Sequence, residues 1–187
     1  MPGLFALLFW AWTASEVLLQ VATRTRRSSG QVKDRGSLLL LLPVIFGSIW
    51  LSLWYAETHR RTMLGGAHWL KTVAIILFLI GLTVRWTAIF SLGRSFSTNV
   101  AIRPTQTVHK RGLYRWLRHP SYTGMLLIFL AIGIHERNWV SLAIMLTFPT
   151  AALLYRIHVE EMALKDAFGE EYVSYSRVTK RLLPGLY

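Results

Sequence analysis

The stretch RGLYRWLRHPSYTGMLL, residues 111–127, sets Arg111, Arg115, Arg118 and His119 directly against an apolar run, with Lys110 just upstream. Soluble domains usually separate two such compositions with a spacer. The joint here is Pro120. Proline is favoured in the first turn of a helix because the N–H it lacks would be unpaired there anyway, so a helix is expected to start at Pro120. The residue before a proline is pushed toward extended geometry, which turns the loop at His119 back over the helix N-terminus. That terminus carries free N–H groups and a positive dipole end, a receptor for a carboxylate. Two readings follow. The basic residues and Tyr122 are interface anchors, the more frequent case at membrane boundaries, or they wall a site that holds something negative.

The surrounding composition decides where this stretch sits. The chain has 187 residues, 53% of them hydrophobic, and eight tryptophans, yet its formal net charge is +12. That combination suits a membrane protein with basic loops better than a soluble domain. A nucleic-acid binder would spread its Lys and Arg along polar faces, whereas here they fall between long apolar runs. No nucleic-acid partner is expected. The absence of cysteine removes disulfides, thiolate zinc sites and cysteine nucleophiles.

Apolar segments recur at Leu4–Val21, Leu38–Tyr55, Trp69–Phe90, Tyr122–Ile134 and Val140–Tyr155. A bilayer core of about 30 Å needs about 20 helical residues. The first three segments meet or approach that length. The fourth is short and reads as a tilted or re-entrant partner of the fifth, joined to it by a tight turn at His135–Asn138. The N-terminus lacks the basic region and small-residue cleavage site of a signal peptide, so the first segment is expected to stay as a helix. Loop charges support five spans. Arg24–Arg35 carries five Lys/Arg, Arg94–Arg118 six and the chain from Arg156 onward five, against three (Arg60, Arg61, Lys71) and one (Arg137) in the alternate loops. The positive-inside rule then puts the N-terminus outside and the C-terminus in the cytoplasm, in a bacterial inner membrane or endoplasmic reticulum.

The expected fold is an all-α integral membrane protein of about five transmembrane helices, one domain over residues 1–187. Residues 1–91 supply three N-terminal spans; residues 92–187 supply a cytoplasmic loop, a helical hairpin and C-terminal helices. The loop from Leu92 to Ser121 lacks helical periodicity and has room for a short extended piece. Loops of this length are uncommon and often functional. The sequence YRIHVEEMALKDAF continues the fifth span into water, Gly169 is a candidate C-cap, and EEYVSYSRVTKRLL reads as a second helix ended by Pro184-Gly185.

Arg156 and Glu160 are four residues apart, hence on one helix face. They read either as a boundary ion pair or as functional groups, since charge at membrane depth is costly to keep. An Arg there could grip a substrate carboxylate bidentately, and Glu160 could accept from an amino or hydroxyl donor. His158 lies on another face and reads as a polar boundary residue. Glu16 and Arg85 lie inside spans, where they pair with each other or snorkel. The histidines show no metal-ligand spacing, and no metal is expected.

GLYRWLRHPSYTG followed by RIHVEEMALKDAFGEEYVSY resembles the isoprenylcysteine carboxyl methyltransferase family and its prokaryotic integral-membrane relatives. The shared pattern takes in Gly112, Tyr114, Arg118, His119, Pro120, Tyr122 and Gly124, then Glu160, Glu161, Leu164, Phe168, Gly169, Tyr172 and Tyr175. LGRSFSTNV upstream looks like the family's lead-in. The resemblance covers about the last 90 residues.

The resemblance implies S-adenosyl-L-methionine bound in a cytoplasmic pocket. Carried over by position, His119, Pro120, Ser121 and Tyr122 would contact it, Tyr114 and Gln106–His109 (with Val108 between) would line it, and Glu160 would hold a polar end. Arg156 would face the acceptor as the catalytic residue. The family's His stands as Gln106 here, which leaves backbone contacts at that position. The implied activity is methylation of a lipidic or amphiphilic acceptor, in the named family activity carboxyl O-methylation of an isoprenylcysteine-like substrate. A phospholipid amine N-methyltransferase, a membrane reductase related to sterol reductases and a non-catalytic protein that kept the pocket remain alternatives.

Overall fold

The computed structural model describes residues 3–23, 31–32, 36–59, 69–98, 101–102, 106–183 and 185. Among the described residues six α-helices follow one another: α1 (Gly3–Thr23), α2 (Ser37–Thr58), α3 (Trp69–Leu92), α4 (Pro120–His135), α5 (Trp139–Phe168) and α6 (Glu170–Val178). Helices α1, α2, α3 and α5 are long and apolar enough to cross a membrane. Helix α4 has 16 residues, a rise of ~24 Å, short of a full bilayer core as its sequence implied. Within these apolar helices hydroxyls return to carbonyls one turn back, as Thr13 does to Phe9 at 2.9 Å and Ser48 to Val44 at 2.6 Å. Such bonds satisfy groups for which hydrocarbon offers no partner.

Helix α3 runs along α4, α2 along α5, and α4 against α5, while α1 leans on α3. Small residues set the closest crossing. A Cβ at Gly124 would stand 2.7 Å from the Arg85 nitrogen and from the Gly81 carbonyl oxygen, so only glycine admits this approach of α3 and α4. Serines do the same between α2 and α5, where the Ser141 hydroxyl donates to the Ser52 carbonyl at 2.8 Å. Phe78, Ile128, Phe129, Ile132, Met145 and Leu153 fill the centre. Trp12 of α1 packs edge-on against Phe78 and Phe129 with ring centroids 6.2 Å apart.

The turn between α4 and α5 lies where the sequence put it. Asn138 caps α5, its Oδ1 accepting from the backbone of Val140 at 3.0 Å and Ser141 at 3.3 Å. Helix α5 then runs unbroken for 30 residues, ~45 Å, long enough to leave a bilayer at one end. Gly169 stops it at φ 52°, donating its N–H to the Lys165 carbonyl, and α6 follows at once. The extended piece expected in the long loop is β2 (Ala101–Ile102), antiparallel to β1 (Gln31–Val32) with Gln31 opposite Ile102.

One expectation is corrected. The second tail helix does not run to Leu183; it ends at Val178. Beyond it the chain is extended and pairs with the loop before α4: Lys180 N–H donates to the Trp116 carbonyl at 3.1 Å, Arg118 N–H to Lys180 at 2.7 Å and His119 N–H to Arg181 at 3.0 Å. The Thr179 hydroxyl caps the Tyr175 carbonyl at 2.7 Å. Those bonds satisfy backbone groups of both segments, which a continued helix would leave open on the loop side. Of the residues behind the loop-charge count, Arg24, Arg26, Arg27, Lys33, Arg35, Arg60, Arg61 and Arg103 lie outside the described residues, as does Pro184.

Candidate functional site

The site is built from the loop before α4. Residues Gln106–Lys110 have no regular structure, and Gly112–Arg115 form a 3-10 turn. The Tyr175 hydroxyl of α6 donates to the Tyr114 carbonyl at 2.6 Å, fixing that turn from behind. Arg118 fastens the rest. Its guanidinium donates to Glu161 at 2.7 Å and to the Ser176 carbonyl at 2.7 Å, and Arg181 meets the same Glu161 carboxylate at 2.9 Å. Arg118 is thus a clamp between loop and tail. Lys110 pairs with Glu171 at 2.8 Å and Arg115 lies over the Trp116 ring at 4.9 Å, so most of the basic cluster holds structure together.

Pro120 opens α4 as its first residue, and His119 caps it with φ −128° and ψ 56°, outside the helical region. This puts His119, Ser121 and Tyr122 on a cavity of about 380 Å³. Gln106, Val108, His109, Tyr114, Arg156 and Glu160 line the same cavity. Nine of the ten residues singled out in the sequence therefore converge. The tenth, Pro120, is buried and shapes the turn without lining the space.

Tyr122 is the hub of the polar end. Its hydroxyl donates to Glu160 Oε2 at 2.8 Å and accepts from Arg156 Nε at 3.2 Å, so it stands between the two groups that the i, i+4 spacing brought to one face. Arg156 also donates through Nη1 to the Ser37 hydroxyl at 2.7 Å and through Nη2 to the Thr98 carbonyl. The residue is 3% exposed, and these bonds hold its guanidinium in a fixed plane. Glu160 keeps 30% of its side chain accessible. His119 is 3% exposed; its Nε2 lies 3.4 Å from Glu161 Oε1, inside charge range but off hydrogen-bond geometry.

Three buried polar atoms on this cavity, His119 Nε2, Thr98 Oγ1 and Tyr172 OH, have no hydrogen-bond partner among the described residues. Buried polar groups are rarely left so, and a cluster of them on one cavity points to a polar occupant. Burial, reinforced by the Glu160 charge, holds the Tyr114 hydroxyl far above its usual pKa; burial with the Glu161 and Glu160 charges does the same for Tyr172. Tyr175 is raised to about 12, chiefly by burial. All three stay protonated; Tyr114 donates to the Ala88 carbonyl and Tyr175 to the Tyr114 carbonyl, while Tyr172 keeps its O–H free to donate. His109 shifts the other way: burial, and then the Arg111 charge, lower it below 6.5 and keep the ring neutral. It faces Tyr114 edge-on at 5.2 Å, with Nε2 2.9 Å from the Ser91 hydroxyl.

Glu16 and Arg85 do pair. Arg85 Nε and Nη2 bind the two carboxylate oxygens, and Nη1 donates to the Ser121 hydroxyl at 2.9 Å. Both line the cavity. Thr98 and Ser37, which set the plane of Arg156, were not singled out in the sequence, because nothing local marks a hydroxyl or carbonyl that far along the chain from its partner. The tyrosine pair Tyr172 and Tyr175 does have a signal, its spacing of three. Among the described residues no group of His, Asp or Glu could hold a metal ion.

The sequence profile of the "Isoprenylcysteine carboxyl methyltransferase (ICMT) family" matches residues 74–166, about half the chain, from within α3 to the part of α5 beyond Glu160. Among curated proteins, the chain is 26% identical over 170 residues to the uncharacterized protein YpbQ of Bacillus subtilis, covering 85% of this chain and 98% of that one. It is 32% identical over 112 residues to protein-S-isoprenylcysteine O-methyltransferase B of Arabidopsis thaliana, covering 58% of this chain and 56% of the plant protein. The Tribolium castaneum protein-S-isoprenylcysteine O-methyltransferase is 27% identical over 135 residues, 70% of this chain and 47% of the insect one. The chain thus spans about half the length of these methyltransferases but nearly all of YpbQ. Among solved structures, the eukaryotic intramembrane Ras methyltransferase ICMT superposes with a TM-score of 0.63 at 23% identity, over 78% of this chain and 52% of that one, a likeness of fold. Profile, relatives and fold agree with the motif residues gathered around the cavity: the chain belongs to the isoprenylcysteine carboxyl methyltransferase family.

Proposed function

We propose that this protein is an integral membrane enzyme that transfers a methyl group from S-adenosyl-L-methionine to a lipidic or amphiphilic acceptor. The observation that carries the reading is the convergence of His119, Tyr122 and Glu160 on one cavity, with three orphaned polar atoms around them. The residues present fit the cofactor. Its cationic end matches the accessible Glu160 carboxylate, its ring the wall from Gln106 to Tyr114, and its remaining polar groups His119 Nε2, Thr98 Oγ1 and Tyr172 OH. A volume of about 380 Å³ lies within the range of small-molecule sites. When bound, the cofactor supplies a sulfonium-activated methyl group ready for in-line displacement.

The protein's own part is alignment and exclusion of water. Tyr122, held by both Glu160 and Arg156, fixes the separation of those two groups. We assign Arg156 to the acceptor and favour carboxyl O-methylation of an isoprenylcysteine-like molecule. A carboxylate is ionised at neutral pH and needs no strong base, only a guanidinium to orient it. Ser37 and Thr98 keep that guanidinium in plane, so its contribution is positional. The same reading makes residues 1–187 one domain, with a three-span N-terminal part and a methyltransferase core from residue 92, its loop and tail on the cytoplasmic side.

The test is mass spectrometry of lipid extracts incubated with purified protein and a deuterated-methyl donor. The expected result is one lipid class gaining the labelled methyl group, with Arg156→Ala lowering transfer about tenfold or more while the cofactor still binds. Label retained in full by that variant would remove Arg156 from the reaction, and label on phospholipid amines would replace the carboxyl acceptor.

A further inference from the structure

The cavity extends beyond the cofactor-side residues into the space between α1 and α2, and its two sides there differ in chemistry. Helix α2 contributes only leucine, isoleucine and phenylalanine, between Leu38 and Phe46. Helix α1 contributes Trp12, Val17 and Val21 and, spaced three and four apart on one face, the polar Thr13, Glu16 and Gln20. A site for a plain hydrocarbon tail needs no such face. The Thr13 hydroxyl is satisfied within its own helix. Glu16 is different.

Glu16 lies at membrane depth, where an ionised carboxylate is costly unless paired, and Arg85 provides the pair. Both partners line the cavity. Glu16 keeps 17% of its side chain accessible. Its carboxylate has about four lone-pair positions. Among the described residues, Oε1 accepts from Trp12 Nε1 at 3.1 Å and from Arg85 Nε, and Oε2 accepts only from Arg85 Nη2. One position on Oε2 is left over. Arg85 in turn is anchored to Ser121, the residue next to Tyr122, so that open position is held in fixed relation to Arg156 and Glu160.

Resting on the methyltransferase reading above, we infer that Glu16 is a specificity-determining positioning residue: its open Oε2 position receives an N–H or O–H that the acceptor carries beside its methylated carboxylate. Arg85 cancels the Glu16 charge, so a carboxylate nearby is not repelled. The acceptor class is then an amphiphile with one apolar chain against α2, a carboxylate directed to Arg156 and a neighbouring amide, amine or hydroxyl donor directed to Glu16. In the transfer, a bond forms between the acceptor's carboxylate oxygen and the methyl carbon while the carbon–sulfur bond breaks, its electron pair passing to sulfur. The donor hydrogen stays on the acceptor throughout.

Two probes with the same prenyl chain test this. S-prenyl-N-acetylcysteine carries the carboxylate and an adjacent N–H; S-prenyl-3-mercaptopropionate carries the carboxylate alone. Wild-type protein should show kcat/KM about tenfold or more higher for the first. In E16Q, whose amide places N–H groups where the open lone pair was, the ratio should fall to near one. S-adenosylhomocysteine binding reports whether that variant is folded, and the wild-type comparison stands without it. A merely structural Glu16 would lower both rates together and leave the ratio intact, which overturns the inference, as does a wild-type ratio near one. Transfer to neither probe by a protein that binds S-adenosylhomocysteine overturns the inference and spares the cofactor reading. Failure to bind S-adenosylhomocysteine at all overturns both.

Discussion

At the scale of single residues, the site rests on groups kept in one protonation state by their surroundings. His109 is lowered from 6.5 by burial and by Arg111. A histidine that binds its proton more weakly when folded contributes stability fully above its ordinary value, and that stability is lost as pH falls below it, because the unfolded chain then takes up the proton first. Thermal stability should therefore be level above about pH 6.5 and decline on the acid side, with His109→Gln removing part of the slope in melts between about pH 5 and 8. How much of the site was legible also differs by residue. His119, Tyr122 and Glu160 belong to short patterns that can be read locally. Ser37 and Thr98, which orient Arg156, are 119 and 58 residues from it in sequence, and only the folded chain brings them there. Arg118 illustrates the reverse: its position in a basic run suggested an anchor or an anion site, and it proved to tie the loop to α5 through Glu161 and to the tail through the Ser176 carbonyl.

At the scale of elements, apolar length and proline placement fixed the helices, down to the start of α4 at Pro120. The end of α6 was not legible, since the apolar pattern continues through Leu182 and Leu183 while the backbone leaves the helix at Val178 to pair with residues 116–119. That competition is between distant segments, and local periodicity does not register it. Two expectations follow for the elements. Gly124→Ala would set a Cβ 2.7 Å from backbone atoms of α3; it should destabilise by about 1–3 kcal/mol, read as a lower unfolding midpoint in detergent. Glu161→Ala would leave Arg118 and Arg181 facing each other across an empty position. Removing one partner of a largely buried pair costs about 3–5 kcal/mol, and limited proteolysis should cut the chain after α6 sooner than in wild type.

At the scale of the whole molecule, four long apolar helices and the short α4 form a bundle with the polar loop, the far end of α5 and the tail gathered around one cavity. The loop charges predict a cytoplasmic position for those parts. Cysteines introduced at Ser29 and Thr105, both outside the described residues of this cysteine-free chain, should accordingly label from the cytoplasmic side alone. Labelling of either from the opposite side would break the five-span order. The bundle could be foreseen from composition; the shared cavity could not, because it needs α1, α2 and the Ser95–Thr98 segment beside the recognisable motifs. The central claim is that this cavity holds the methyl donor. Calorimetric titration of the full-length protein with S-adenosylhomocysteine measures it most directly. Saturable binding is expected, weakened about tenfold or more by His119→Ala and by Glu160→Ala, whereas no binding by folded protein, or binding indifferent to both substitutions, would contradict it.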